Sequence, residues 1–127
     1  MAIIRLMEES EAAGRVKEIF EEIKTTLEIP FVPQLFRALG SKPDQLEAVW
    51  AQVKGLFGSG SLDVKTKSLV ALSVAASQRC SYFVRIHAAV AKRLGASDEE
   101  IAELLEVASL STALNTLATG LGLDPEL

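Results

Sequence analysis

The run QRCSYFVRIH, Gln78 to His87, holds the chain's one cysteine, one tyrosine and one histidine. A thiol and an imidazole are the two neutral-pH groups best suited to nucleophilic and acid–base work. Their spacing decides whether they can work together. If Cys80 and His87 share a helix, seven residues put them on one face, but a rise of about 1.5 Å per residue separates their Cα atoms by about 10.5 Å. They meet only through a water relay or a bend. The helical position that can touch His87 directly is four residues earlier, and it is held by Phe83. Cys80 itself falls at the start of the helix, where free N–H groups and the positive end of the dipole favour a thiolate. A reactive cysteine is one reading of this run. The other is a small apolar residue at a helix junction with a hydrogen-bonded core histidine nearby.

Other chemistry is absent from the sequence. There is no P-loop, no glycine-rich dinucleotide turn and no G-x-S-x-G elbow, and one His with one Cys falls short of a zinc set. No cofactor and no metal are expected. Glu99, Glu100, Glu103 and Glu106 read as the solvated face and first-turn charges of a helix. Arg79 and Arg85 are the cations nearest His87 in sequence, but Arg85 lies two residues away and so points elsewhere on a helix.

The elements that position this run are helical throughout. Val16, Ile19, Phe20, Ile23 and Leu27 recur at three- and four-residue steps and predict an amphipathic helix over 10–27. Pro30 and Pro33 bracket IPFVP and interrupt it, and a short helix, PQLFRALG, closes at Gly40. Ser41, with Asp44 three residues on, reads as the N-cap of a helix carrying Leu46, Val49, Trp50, Val53 and Phe57, ended by GSGS at 58–61. Asp63 caps a helix rich in Ala and Ser, a composition that admits close neighbours and suits a central element. CSYFVRIHAAVAKRLG follows as a helix ending at Gly95. SDEE at 97–100 is a capping box that starts a last helix reaching about Ala118. No segment alternates with period two over strand length, and no internal repeat stands out. The expectation is an all-α single domain, 1–127, of five to six helices.

Chain-wide properties narrow the setting. The 127 residues are enough for one ordinary core. Cys80 has no partner for a disulfide within the chain, which points to a reducing, cytoplasmic compartment. A net charge of −4 argues against a nucleic-acid partner. No stretch suggests a secretory leader or a bilayer span, so no membrane association is expected. The last helix carries Ile101, Leu104, Leu105, Val107, Leu110, Leu114 and Leu117, which cover more than one side. Such a surface suits a homo-oligomer interface.

The run LDVKTKSLVALSVAASQRCSYFVRIHAAVAKRLGASDEEIAEL resembles the core of the alkylhydroperoxidase AhpD and carboxymuconolactone decarboxylase superfamily. The likeness extends outward to SEAAGRVKEIFEEIKTTLEIPFVPQLFRAL and ALNTLATGLGLD, nearly the whole chain. The resemblance implies an all-helical domain assembled as trimers or hexamers. In the AhpD-like branch it implies a glutamate, a Cys-x-x-Cys twelve residues later, and a histidine four residues after the second cysteine. The second thiol attacks the peroxide, assisted by the histidine through the glutamate and a water, and the first closes a disulfide. Cys80 and His87 match the first cysteine and the histidine, and Tyr82 matches a common C-x-Y-C form. Ser68 stands where the glutamate would be, and Phe83 where the attacking cysteine would be.

Without a second sulfur, the internal disulfide of that cycle cannot form. Three readings follow. The first is a peroxiredoxin-type, antioxidant activity carried by Cys80 alone, with an external thiol as reductant. A second is an inactive family member serving as an oligomeric ligand-binding or interaction module. More distant is cofactor-free acid–base catalysis by His87, as the resemblance to the decarboxylase branch implies.

Overall fold

The structure, a computed structural model, describes residues 2–127. Among these residues all regular structure is helical: α1 (Gly14–Leu27), α2 (Gln34–Ala38), α3 (Pro43–Leu56), α4 (Val64–Ser77), α5 (Ser81–Arg93) and α6 (Asp98–Leu121), preceded by one 3-10 turn at Glu9–Glu11. The described residues are thus all-α, with six α-helices. It divides into two compact units, one up to Gly58 and the other Ser59–Leu127.

The first unit is built on the stripe read from α1. Val16, Ile19, Phe20 and Ile23 are buried, with Val32, Phe36, Leu46 and Trp50 completing the cluster. Burying each large apolar side chain contributes about 1.5–3 kcal/mol before chain entropy is set against it. The Trp50 ring meets Phe36 edge-on, with centroids 5.6 Å apart at 88°, and its indole N–H donates to Glu22 at 3.1 Å. Glu22 also accepts from Lys54 Nζ at 2.6 Å. These two donors, Lys54 first, hold the Glu22 carboxyl below its ordinary range.

Helix α1 begins at Gly14 rather than Ser10, because Ala12 and Ala13 are extended. Ser10 belongs instead to the 3-10 turn, whose Glu9 side chain accepts from the Val32 N–H at 2.8 Å and from Lys24 Nζ at 3.1 Å. That carboxylate ties the proline-bracketed loop to α1. Its own acidity rises for the same reasons, the Val32 amide foremost. Helix α3 is likewise entered one residue later than expected. Lys42 is its N-cap and Pro43 its first residue, since proline has no N–H to leave unpaired there and its φ is already helical.

In the second unit α4 packs against both α5 and α6, as its small-residue composition suggested. Ser68, Leu72 and Ala75 are its buried positions. Asp63 caps it, accepting from the Thr66 N–H at 2.7 Å. Ser97 and Glu100 form the expected capping box at the start of α6, at 3.0 and 2.8 Å. Lys65 Nζ donates to Glu100 at 3.0 Å and links α4 to α6. Helix α6 runs one turn past Ala118, to Leu121, and closes at Gly122 with φ +63°.

Candidate functional site

The turn between α4 and α5 places the thiol. Helix α4 ends in a Schellman arrangement: the Cys80 N–H donates to the Ala75 carbonyl at 2.9 Å and the Arg79 N–H to that of Ala76 at 3.1 Å. This closure requires a left-handed residue at position 79, usually glycine. Here it is Arg79, at φ +59°. The chain therefore holds an arginine in a conformation costing of order 1 kcal/mol immediately before the cysteine.

Cys80 is a free thiol, half-buried, and is the N-cap residue of α5. Its carbonyl accepts the first intrahelical bond, from the Val84 N–H at 3.0 Å. Cys80 thus stands at the N-cap of α5, one step outside its first turn, and its side chain makes no cap hydrogen bond.

On α5 three rings form a continuous row. Tyr82 meets Phe83 edge-on, with centroids 5.1 Å apart at 83°, and Phe83 lies nearly flat on the His87 imidazole, 5.3 Å and 16°. This is the four-residue contact that the spacing predicted. His87 is half-buried, and burial pushes its pKa below the ordinary value of 6.5, because a charged imidazolium loses more hydration than a neutral ring. Its neighbour four residues back is an apolar ring that cannot exchange a proton.

Ser68 sits on α4, fully buried, and its Oγ has no hydrogen-bond partner. It therefore makes no bond to His87 or Cys80. Arg79 and Arg85 are both exposed, so neither places a cation in a buried pocket beside His87. The structure joins Tyr82, Phe83 and His87 and leaves Cys80 and Ser68 outside that row. Among the described residues no group of three or more His, Cys, Asp or Glu is placed to hold a metal ion. No helix among them is long and apolar enough to cross a membrane.

One feature lay outside the sequence reading. A groove of about 530 Å³ runs between α4 and α6, lined by side chains such as Val70, Ser73, Val74, Leu104, Val107 and Ser111. The apolar excess of α6 was its only trace in the sequence.

Fold and site define an all-helical protein with a thiol at a helix junction and an imidazole two turns further on. Residues 43–123 match the carboxymuconolactone decarboxylase family, and the chain belongs to that family. The crystal structure of an alkylhydroperoxidase AhpD core from Rhodospirillum rubrum is similar over 99% of this chain and 95% of its own, with 32% identity and a TM-score of 0.93. Among curated sequences, an (R)-2-haloacid dehalogenase from Pseudomonas putida is 27% identical over 110 residues, 83% of this chain and 35% of its own length. An uncharacterized protein 4 in cox locus of Paracoccus denitrificans is 38% identical over 63 residues, 50% of this chain and 57% of its own length. The chain thus spans about a third and somewhat over half of these two relatives.

Proposed function

We propose that the protein is a thiol-dependent redox enzyme of alkylhydroperoxidase type that works through Cys80 alone. The observation that carries this reading is the N-cap position of the half-buried, free Cys80 on α5 in a chain so similar to an AhpD core. The Cys80 sulfur attacks one peroxide oxygen. An S–O bond forms, the O–O bond breaks, and the departing oxygen takes a proton and leaves as an alcohol or water. Cys80 is thereby oxidised to a sulfenic acid and the peroxide reduced. An external thiol then displaces water to give a mixed disulfide, and a second thiol releases Cys80.

In this scheme His87, kept neutral by burial, accepts the Cys80 proton through an intervening water. Tyr82 stands between them in sequence as the other polar group of the motif. No metal or cofactor takes part. The enzyme works as a homo-oligomer, a trimer or hexamer, in the cytoplasm, where reductant thiols are abundant.

Peroxide consumption in the presence of a small thiol tests the scheme. The parent should turn over and Cys80→Ser should not; equal turnover by the two overturns it.

A second reading is favoured by the Phe83 ring stacked on His87. If the family's attacking thiol stood at that position, its replacement has sealed the imidazole with hydrocarbon, and the chain serves as an oligomeric ligand-binding or interaction module. Under that reading the parent is inert, and Phe83→Cys combined with Ser68→Glu creates activity. A folded double variant that stays inert counts against it. Acid–base catalysis on an organic acid by His87 ranks behind both, because the nearby arginines are exposed.

A further inference from the structure

The segment 5–11, ahead of α1, is clasped to α2 and to the loop before it. The Met7 N–H donates to the Arg37 carbonyl at 3.1 Å. Arg37 Nε donates back to the Met7 carbonyl at 2.9 Å, and its Nη2 donates to Glu8, also at 2.9 Å. Glu9 in turn accepts from the Val32 N–H and from Lys24 Nζ. One arginine and one glutamate thus fasten three consecutive residues, Met7, Glu8 and Glu9.

The Met7 side chain completes the clasp. It packs against the core cluster of the first unit and lies over Gly40. A Cβ added at Gly40 would stand 2.8 Å from Met7 Sδ and 2.9 Å from Met7 Cβ, closer than real Cβ contacts come. The φ of Gly40 is not positive, so its backbone conformation does not call for glycine. The room taken by the thioether does. Gly40 is buried, and Met7 is half-buried, so its side chain is packed without being sealed from solvent.

A thioether is a site of two-electron oxidation. Apart from Met1, Met7 is the chain's one methionine, and the first unit holds no cysteine. When its sulfur attacks a hydroperoxide, an S–O bond forms and the O–O bond breaks. The sulfur gives up two electrons, and the departing oxygen takes the proton of the transferred one and leaves as water or an alcohol. The product is a sulfoxide, a polar group and a hydrogen-bond acceptor. Its oxygen has no room toward Gly40, and toward the core it meets hydrocarbon. The Arg37 carbonyl, 3.3 Å from where a Gly40 Cβ would stand, is a second acceptor. Arg37 Nε and Nη2 already serve the Met7 carbonyl and Glu8. Burying the sulfoxide without a donor is unfavourable, so the side chain turns outward and lifts residue 7 from Gly40.

We infer that Met7 is a modification site: a hydroperoxide oxidises its thioether to the sulfoxide and thereby unlatches the segment 5–11 from α2. The change is reversible, because thiol-dependent reductases return a sulfoxide to the thioether. The oxidant is of the class taken by the reaction proposed above, but the step does not use Cys80 and stands or falls apart from it.

The test is made in the Cys80→Ser chain, so that all oxygen uptake falls outside the proposed peroxidase cycle. Hydrogen peroxide is applied at a concentration that oxidises N-acetylmethionine, and the site of the added oxygen is located by peptide mass. Native-state hydrogen exchange is then followed at two amides of the clasp, Met7 and Val32, and at Leu72, buried on α4. Oxygen should appear on Met7, and the two clasp amides should exchange about tenfold faster or more, with Leu72 unchanged. Treatment with a methionine sulfoxide reductase should restore the slow rates. Met7→Leu should keep the slow rates and ignore the peroxide. Gly40→Ala should speed both clasp amides without any oxidant, because its methyl displaces Met7. A sulfur that stays unoxidised under these conditions overturns the modification site. Oxygen on Met7 with unchanged clasp amides overturns the latch, as does an equal acceleration at Leu72, which would mean general unfolding. A Met7→Leu chain that responds to peroxide as its parent does overturns the assignment to this sulfur.

Discussion

Replacing Ser68 by alanine should stabilise the protein. The Ser68 side chain is fully buried and its hydroxyl makes no hydrogen bond. In the unfolded chain that hydroxyl is hydrated; on folding it loses water and gains nothing, at a cost of about 1–3 kcal/mol. Alanine removes the oxygen and keeps the Cβ, so the space left is less than a methyl group and the packing loss is a few tenths of a kcal/mol at most. Alanine is also the better helix former by about 0.5 kcal/mol, and position 68 lies inside α4. The net expectation is a gain of about 1.5 kcal/mol. With a urea m-value of about 2 kcal/mol/M, the midpoint should rise by roughly 0.7 M at unchanged slope. Parent and variant must be compared at one protein concentration, because any self-association would add a concentration-dependent term. A loss of 1 kcal/mol or more would refute the reasoning, since it would mean that the hydroxyl has a partner in solution, such as an enclosed water.

Nuclear magnetic resonance titration of His87 should give a pKa below 6.5, from burial. Trimming its ring neighbour with Phe83→Ala admits water and should move the value back toward 6.5; an unchanged or lower value would contradict the assigned cause. The folded pKa is depressed, so the native state binds fewer protons than the unfolded chain. His87 therefore contributes stability that is present above about 6.5 and lost as pH falls through the folded value. Arg79→Gly relieves a left-handed arginine but adds freedom to the unfolded chain, so a gain of up to about 1 kcal/mol is expected. A loss in thermal or urea melts would show that the arginine side chain holds the turn by a contact worth more than its strain.

How much of this was legible depended on range along the chain. The capping box at Ser97 and Glu100, the Asp63 cap and the buried stripe of α1 are local, and each stands where the sequence put it. The contact of Phe83 with His87 was legible for the same reason, being a four-residue contact on one helix. The link from Glu9 to Val32 and Lys24 was not, because nothing in a glutamate near a chain start tells which distant amide it will meet. Arg79 and Glu28 both break the rule that helix ends are read from glycine: α4 and α1 each close on a left-handed residue that is not one. Ser68 could be matched to a motif position, but neither its full burial nor its unpaired hydroxyl is visible in a run of alanines and serines.

The division of the chain into two units has a spectroscopic consequence. The one tryptophan, buried against Phe36, lies in the first unit, while the one tyrosine and the one thiol lie in the second. Indole emission therefore watches only the first unit open. Tyrosine emission, collected without the indole, and the trapping of the thiol by an alkylating reagent watch only the second. Melting curves from these natural reporters, laid over one another, tell without any added label whether the two halves open as one cooperative body or in sequence.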